Sequence, residues 1–260
     1  MDTFSSQYQA RCKELVQQYG FYRRKNVFIR VINDVCQSFY MEKLNRGPFH
    51  KLCRIGFSVL PLCQNVSAQH VEAGVGLYYL KNFQISDVSE ESHGWVYSLQ
   101  AESISACIEE ISQYLESYLI PFFERANHTQ AAFHESIALE KLFQENRLAS
   151  LQLRGIKDCA ANKNEIHLLD SPRYYMALKN GNYDYAKESC AAFLQQNLTA
   201  YESSKSFLPE KIAAERMQII QEFRHELDLL NAENAEYFRN LIEKNESCSR
   251  KSLEKYLPAP

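Results

Sequence analysis

Three runs of β-branched and aromatic residues follow one another in residues 26–63, broken by Asn33-Asp34 and by Asn45-Arg46-Gly47-Pro48. The pattern predicts a three-stranded antiparallel meander. A two-residue turn at Asn33-Asp34 would set Ile29 against Ser38 and Arg30 against Gln37, mixing polar and apolar side chains on both faces. A three-residue loop including Val35 instead pairs Ile29 with Phe39, Val27 with Met41 and Val31 with Gln37, and this is the expected register. The third run adds Cys53, Ile55, Phe57 and Val59 at period two, with Arg54, Gly56 and Ser58 on the other side. One face of the sheet is therefore expected to be apolar and the other partly wet. A fourth run, residues 76–83, is expected to extend the sheet to four strands.

Helical spacing surrounds this sheet. Phe4, Tyr8, Cys12, Leu15 and Tyr19 recur every three or four residues, Gly20 stands at the C-cap position, and the stripe is expected to cover the apolar sheet face. Residues 84–100 read as an acidic, serine-rich connector whose Trp95 anchors it to the core. From Glu102 the helical period returns through Ile104, Cys107, Ile108, Ile111, Leu115, Tyr118 and Leu119 until Pro121 ends or kinks it. A second helix over residues 129–146 has Asn127 or Thr129 as its cap. Residues 171–196 have the cadence of one tetratricopeptide helical hairpin turning at Gly181. A solenoid needs about three such units, so this copy is expected to sit within a bundle. Residues 209–245 predict one long helix with a seam of Ile220, Phe223, Leu227, Leu230, Asn234, Phe238 and Leu241. The fold class is α+β: helix plus antiparallel sheet over residues 1–100, then an all-helical part over 101–260, separate or packed on the sheet as one unit.

Gly20-Phe21 after a helix, then Asp34-Val35-Cys36-Gln37-Ser38-Phe39 and Gly56-Phe57-Ser58-Val59-Leu60-Pro61, resemble a bacterial family of unknown function, numbered 4304 in the domain-of-unknown-function series. The likeness spans roughly residues 5–83. It departs from the family at the second strand, where Ser38-Phe39-Tyr40-Met41 stands in place of a glutamine-rich run. It implies an α+β beginning and assigns no catalytic residue.

Composition narrows the function classes. A net charge of −3 and a pI near 6.2 lack the basic excess of nucleic-acid-binding domains. The amino terminus has an acidic second residue and no signal-like apolar stretch, and no window reaches eighteen apolar residues. These features predict a soluble, cytoplasmic protein that does not enter membranes. The eight cysteines form no CxxC pair and are read as reduced. Asn-x-Ser/Thr matches at Asn65, Asn127, Asn197 and Asn245 lack a secretory context.

No motif dictates a chemistry. HExxH, GxSxG and Walker A patterns are absent, and Gly74-Val75-Gly76 lacks the third glycine and helix of a dinucleotide site. No cofactor is expected. Glu124, His128, His134 and Glu135 are the densest group of metal-ligand types, but the six-residue separation of the histidines is off-phase for one ion on one helix. Sixteen tyrosines and fifteen phenylalanines leave an aromatic excess. In the expected register Tyr22, Arg30, Tyr40, Arg54, Tyr79 and Lys81 line the wet face, an aromatic and cationic mixture suited to binding protein. The leading expectation is a non-catalytic protein-binding or interaction module, including self-association through the long helix. The alternative is an enzyme with its site in the groove between sheet and helices or around Glu124, His128 and His134.

Overall fold

The computed structural model describes residues 3–45, 47–67, 70–72, 75–76, 94–153 and 170–257. Helix α1 (Thr3–Gln17) ends where Gly20 takes φ 74°, the left-handed conformation that glycine adopts without strain. Strands β1 (Tyr22–Arg24), β2 (Val27–Ile32), β3 (Val35–Asn45) and β4 (His50–Pro61) then run as an antiparallel series. Two short strands, β5 (Val75–Gly76) and β6 (Trp95–Ser98), both pair with β4. The sheet thus has five strands in sequence order with β6 added on β4, where four were expected. Beyond Gly76 the expected fourth run, with Tyr79 and Lys81, lies outside the described residues. The connector ends as a strand: Trp95 pairs with Cys53, and its ring meets Tyr114 edge-on at 5.2 Å.

The register differs from the expected one. Asn33 and Asp34 form a two-residue turn, with Asn33 at φ 51°, and Ile29 faces Ser38 while Arg30 faces Gln37. The reason is that both faces of the sheet are covered, so neither has to be uniformly apolar. On one face Phe28, Phe39, Met41, Ile55 and Phe57 join the main core. On the other, Val27, Ile29, Cys36 and Leu60 form a second cluster with Leu62, Val66, Val71 and Leu253.

Cover for the main face is shared. Helix α1 contributes Phe4 and Tyr8, stacked on Tyr97 at 4.1 Å and edge-on to Phe28 at 6.4 Å respectively. It does not cover the sheet alone: it lies beside α2 (Ala101–Tyr114), and α3 (Ile120–Arg125) brings Phe122 and Phe123 onto Phe57. Between α2 and α3, residues Leu115–Leu119 widen into a π turn instead of stopping at Pro121. Proline has no N–H and crowds the carbonyl four residues back, and the wider turn absorbs both.

Helix α4 (Thr129–Leu153) follows, then two helical hairpins, α5 (Asp170–Lys179) with α6 (Tyr183–Ser204) and α7 (Glu210–Asn231) with α8 (Ala235–Leu253). The expected long helix is broken at residues 232–234, where Glu233 has φ 52°. The turns of the two hairpins use the same hydrogen bonds. Asn182 N–H donates to Ala177 C=O (2.9 Å) and Gly181 N–H to Leu178 C=O (3.2 Å). At the second turn Asn234 donates to Leu229 (3.1 Å) and Glu233 to Leu230 (3.2 Å). Both are Schellman-type stops. Asn182 and Asn234 then cap the next helix, accepting from the N–H of Tyr185 and Tyr237. The main cluster runs from Phe4 in α1 to Phe238 in α8, so sheet and helices share one core.

Candidate functional site

Of the described side chains singled out for the wet face, Tyr22, Tyr40 and Arg54 share one face and Arg30 does not. Arg30 points into the main core and is 6% exposed, whereas Tyr22, Tyr40 and Arg54 belong to the opposite face. The centre of that opposite face is covered: Leu253 and Tyr256 lie on it. Helix α8 is pinned there because Ser249 Oγ donates to Leu62 C=O and accepts from Val66 N–H, both at 2.6 Å. Asn245 Nδ2 adds a bond to Cys63 C=O (2.8 Å). Tyr40 lies across Gly56, where an added Cβ would come within 2.4 Å of its ring.

Arg30 is instead the centre of a buried polar network. Its Nε donates to Gln37 Oε1 (2.6 Å), Nη1 to Tyr19 C=O (2.8 Å) and Nη2 to Glu124 Oε1 (2.7 Å). The guanidinium also lies 4.6 Å from the Phe21 ring centroid. Gln37, fully buried, passes the network on by donating Nε2 to Phe123 C=O (2.7 Å) and Ala126 C=O (2.9 Å). These are end carbonyls of α3, left over by the helix and satisfied by the sheet.

The metal-ligand candidates are dispersed by separate tasks. Glu124 accepts from Arg30, and Glu135 pairs with Arg125 through two hydrogen bonds. His128 Nδ1 accepts from Ala131 N–H (3.2 Å) at the start of α4, and His134 packs its ring near Phe133. Among the described residues no three His, Cys, Asp or Glu side chains converge to hold a metal. The cap expected from Asn127 or Thr129 is also supplied differently, by His128 and by Asp34 from the sheet.

Asp34 ties four elements together. Its carboxylate accepts from Thr129 N–H (2.9 Å) and Thr129 Oγ1 (2.7 Å), and pairs with Lys179 Nζ at 2.9 Å. Lys179 also pairs with Glu246 of α8. Burial alone would raise the Asp34 carboxyl, but the hydrogen bonds from Lys179 and Thr129 outweigh it and hold the group below the ordinary aspartate range. A carboxyl depressed in the folded state stabilises the fold above its unfolded value of about 4 and loses that contribution as pH falls through the folded value. Asp34→Asn is therefore expected to lower stability at pH 7, with the gap to the parent closing on acidification below about pH 4. Urea unfolding at a series of pH values checks this; a gap that stays constant down to acid pH contradicts it.

Other titrating groups are closed off. Burial pushes the thiols of Cys12, Cys36, Cys63, Cys107 and Cys190 up to about 12, so at neutral pH they are protonated and poor nucleophiles. Tyr174, 2% exposed, donates to Glu226 Oε2 (2.8 Å). Burial raises the Glu226 carboxyl, against the lowering effect of that bond. A cleft of about 530 Å3 opens where β2 leaves β3, lined by Lys25, Asn26, Tyr40, Glu42 and Lys43 among others. It is open, with a lining of mixed polarity that includes Val27 and Met41, and Glu42 and Lys43 at its rim are exposed.

Exposed apolar side chains occur at Phe49 and Leu99 beside the β4–β6 pair, and also on α6, α7 and the turn between them. Cys190 and Ile220 are buried, and no residue between them is. This distal half of the hairpin, about 20 Å long at 1.5 Å per residue, packs α6 against α7. Phe207 in its turn is 87% exposed, and Ile212 and Ile219 on α7 are 41% and 42% exposed. The isoleucines are seven residues apart and lie on one stripe that continues to Glu226. At Glu226 the stripe is covered by Tyr174 of α5; at Ile219 and Ile212 it stays open. The seam read from the sequence contains none of these three residues. The signal that finds them is the pair of isoleucines flanking the predicted core stripe.

No family model, no curated protein and no solved structure matches this chain.

Proposed function

We propose that this protein is a non-catalytic interaction protein and that the distal α6–α7 hairpin is its docking surface. The observation that carries this reading is the open stripe of Ile212 and Ile219 beside Phe207, on a part of the chain with no buried residue of its own. Large apolar side chains left exposed on one helical hairpin are the kind of surface that another protein covers. The bond networks of Arg30, Asp34 and Ser249 support it by fixing the sheet, α3, α4, α5 and α8 relative to one another. A rigid body of that kind presents the hairpin in a defined pose.

Hydroxyl-radical footprinting tests the reading. Phe207, Ile212 and Ile219 are expected to be protected in an extract of the native host relative to the dilute purified chain. Equal labelling in both states overturns it.

A further inference from the structure

Resting on that docking surface, we infer that its occupant is a second copy of this chain, joined by a two-fold axis between Glu215 and Arg216 of α7. The midpoint of Ile212 and Ile219 falls between these two residues. An antiparallel copy centred there brings Ile212 level with Ile219 of the other chain, and Ile219 level with Ile212. The same operation sets Glu215 level with Arg216 and Arg216 level with Glu215. Opposite charges thus meet twice and apolar side chains meet twice, which is the self-complementarity a two-fold interface requires. No two like charges of α7 come level, since Glu210 meets Gln221, Lys211 meets Ile220 and Glu222 meets Pro209.

The orientation is decided by the same residues. A parallel copy would bring Glu215 level with Glu215 and Arg216 with Arg216, stacking like charges at the centre of the contact. Arg216 is already held in place by donating Nη1 to Ser204 Oγ of α6 (3.0 Å), which limits its freedom to turn away. With α6 alongside α7 in each chain, the product is an antiparallel four-helix arrangement, the smallest one in which a two-helix hairpin buries its open stripe.

Sedimentation of the full-length purified chain over a range of concentrations tests the inference, with urea unfolding as the control for folding. The parent is expected to form a concentration-dependent dimer. Ile212→Glu and Ile219→Glu are expected to leave it monomeric, with the unfolding midpoint that the parent shows at concentrations low enough for it to be monomeric. Glu215→Arg is expected to weaken the dimer about tenfold or more through two like-charge contacts, and the exchange Glu215→Arg with Arg216→Glu to restore it to within about threefold. A parent that stays monomeric throughout, a dimer indifferent to both isoleucine variants, or an exchange that does not restore association overturns the inference. A monomeric parent whose hairpin is still protected in host extract overturns the second copy alone and leaves the docking surface standing.

Discussion

Arg30→Ala is expected to destabilise the protein by about 3–5 kcal/mol, seen as a lower urea midpoint with little change in slope. The arginine is 6% exposed, and its removal leaves the buried Gln37 Oε1 and the partly buried Tyr19 carbonyl without their donor. The loss of Glu124 as a partner counts for less, because that carboxylate is half exposed and water can replace the guanidinium. Most of the effect therefore belongs to stranded buried acceptors and to the space vacated beside Phe21. Gln37→Ala is expected to couple to it. Their sum should differ from the double variant by about 0.5–3 kcal/mol, since Gln37 links Arg30 to the end of α3. A strictly additive pair, or an Arg30→Ala variant within about 0.5 kcal/mol of the parent, contradicts this account.

Phe123→Ala is expected to cost a similar amount, about 3–5 kcal/mol. Its ring is fully buried, 5.5 Å from Phe21, 6.2 Å from Phe57 and 6.1 Å from Phe122, so truncation opens a cavity where α3 meets the sheet. The informative comparison is Phe207→Ala, the same chemical change at a side chain that is 87% exposed. It is expected to move stability by less than about 0.5 kcal/mol. Similar losses at the two positions would mean that Phe207 is packed in solution.

The repeated turns show what a sequence can and cannot announce. Asn182-Tyr183-Asp184-Tyr185 and Asn234-Ala235-Glu236-Tyr237 are visibly alike, with an asparagine cap, an acid and a tyrosine at the same offsets. The first is recognisable because Gly181 stands at the left-handed position. The second is masked because Glu233 fills that place, and the apolar period then runs on through Leu230, Phe238 and Leu241 as if one helix continued. Tertiary packing makes the difference, since Phe238 is fully buried in the core and α8 must turn to reach the end of β4.

From the sequence alone came the antiparallel meander, the helix before it closed by Gly20, the helical second half and the absence of a recognisable catalytic motif. Each depends on the local period of apolar residues or on the backbone freedom of a single position, both of which one strand of text records. Tertiary structure alone decided the register, the strand at Trp95, the burial of Arg30 and the dispersal of Glu124, His128 and His134. Arg30 and Glu124 are 94 residues apart, as are Asn33 and the Asn127 carbonyl that accepts from it, while Asp34 and Thr129 are 95 apart. Apolar period tells which side chains leave water. It does not tell that a polar one follows them when a distant segment supplies its hydrogen bonds, nor that Ile212 and Ile219 stay exposed.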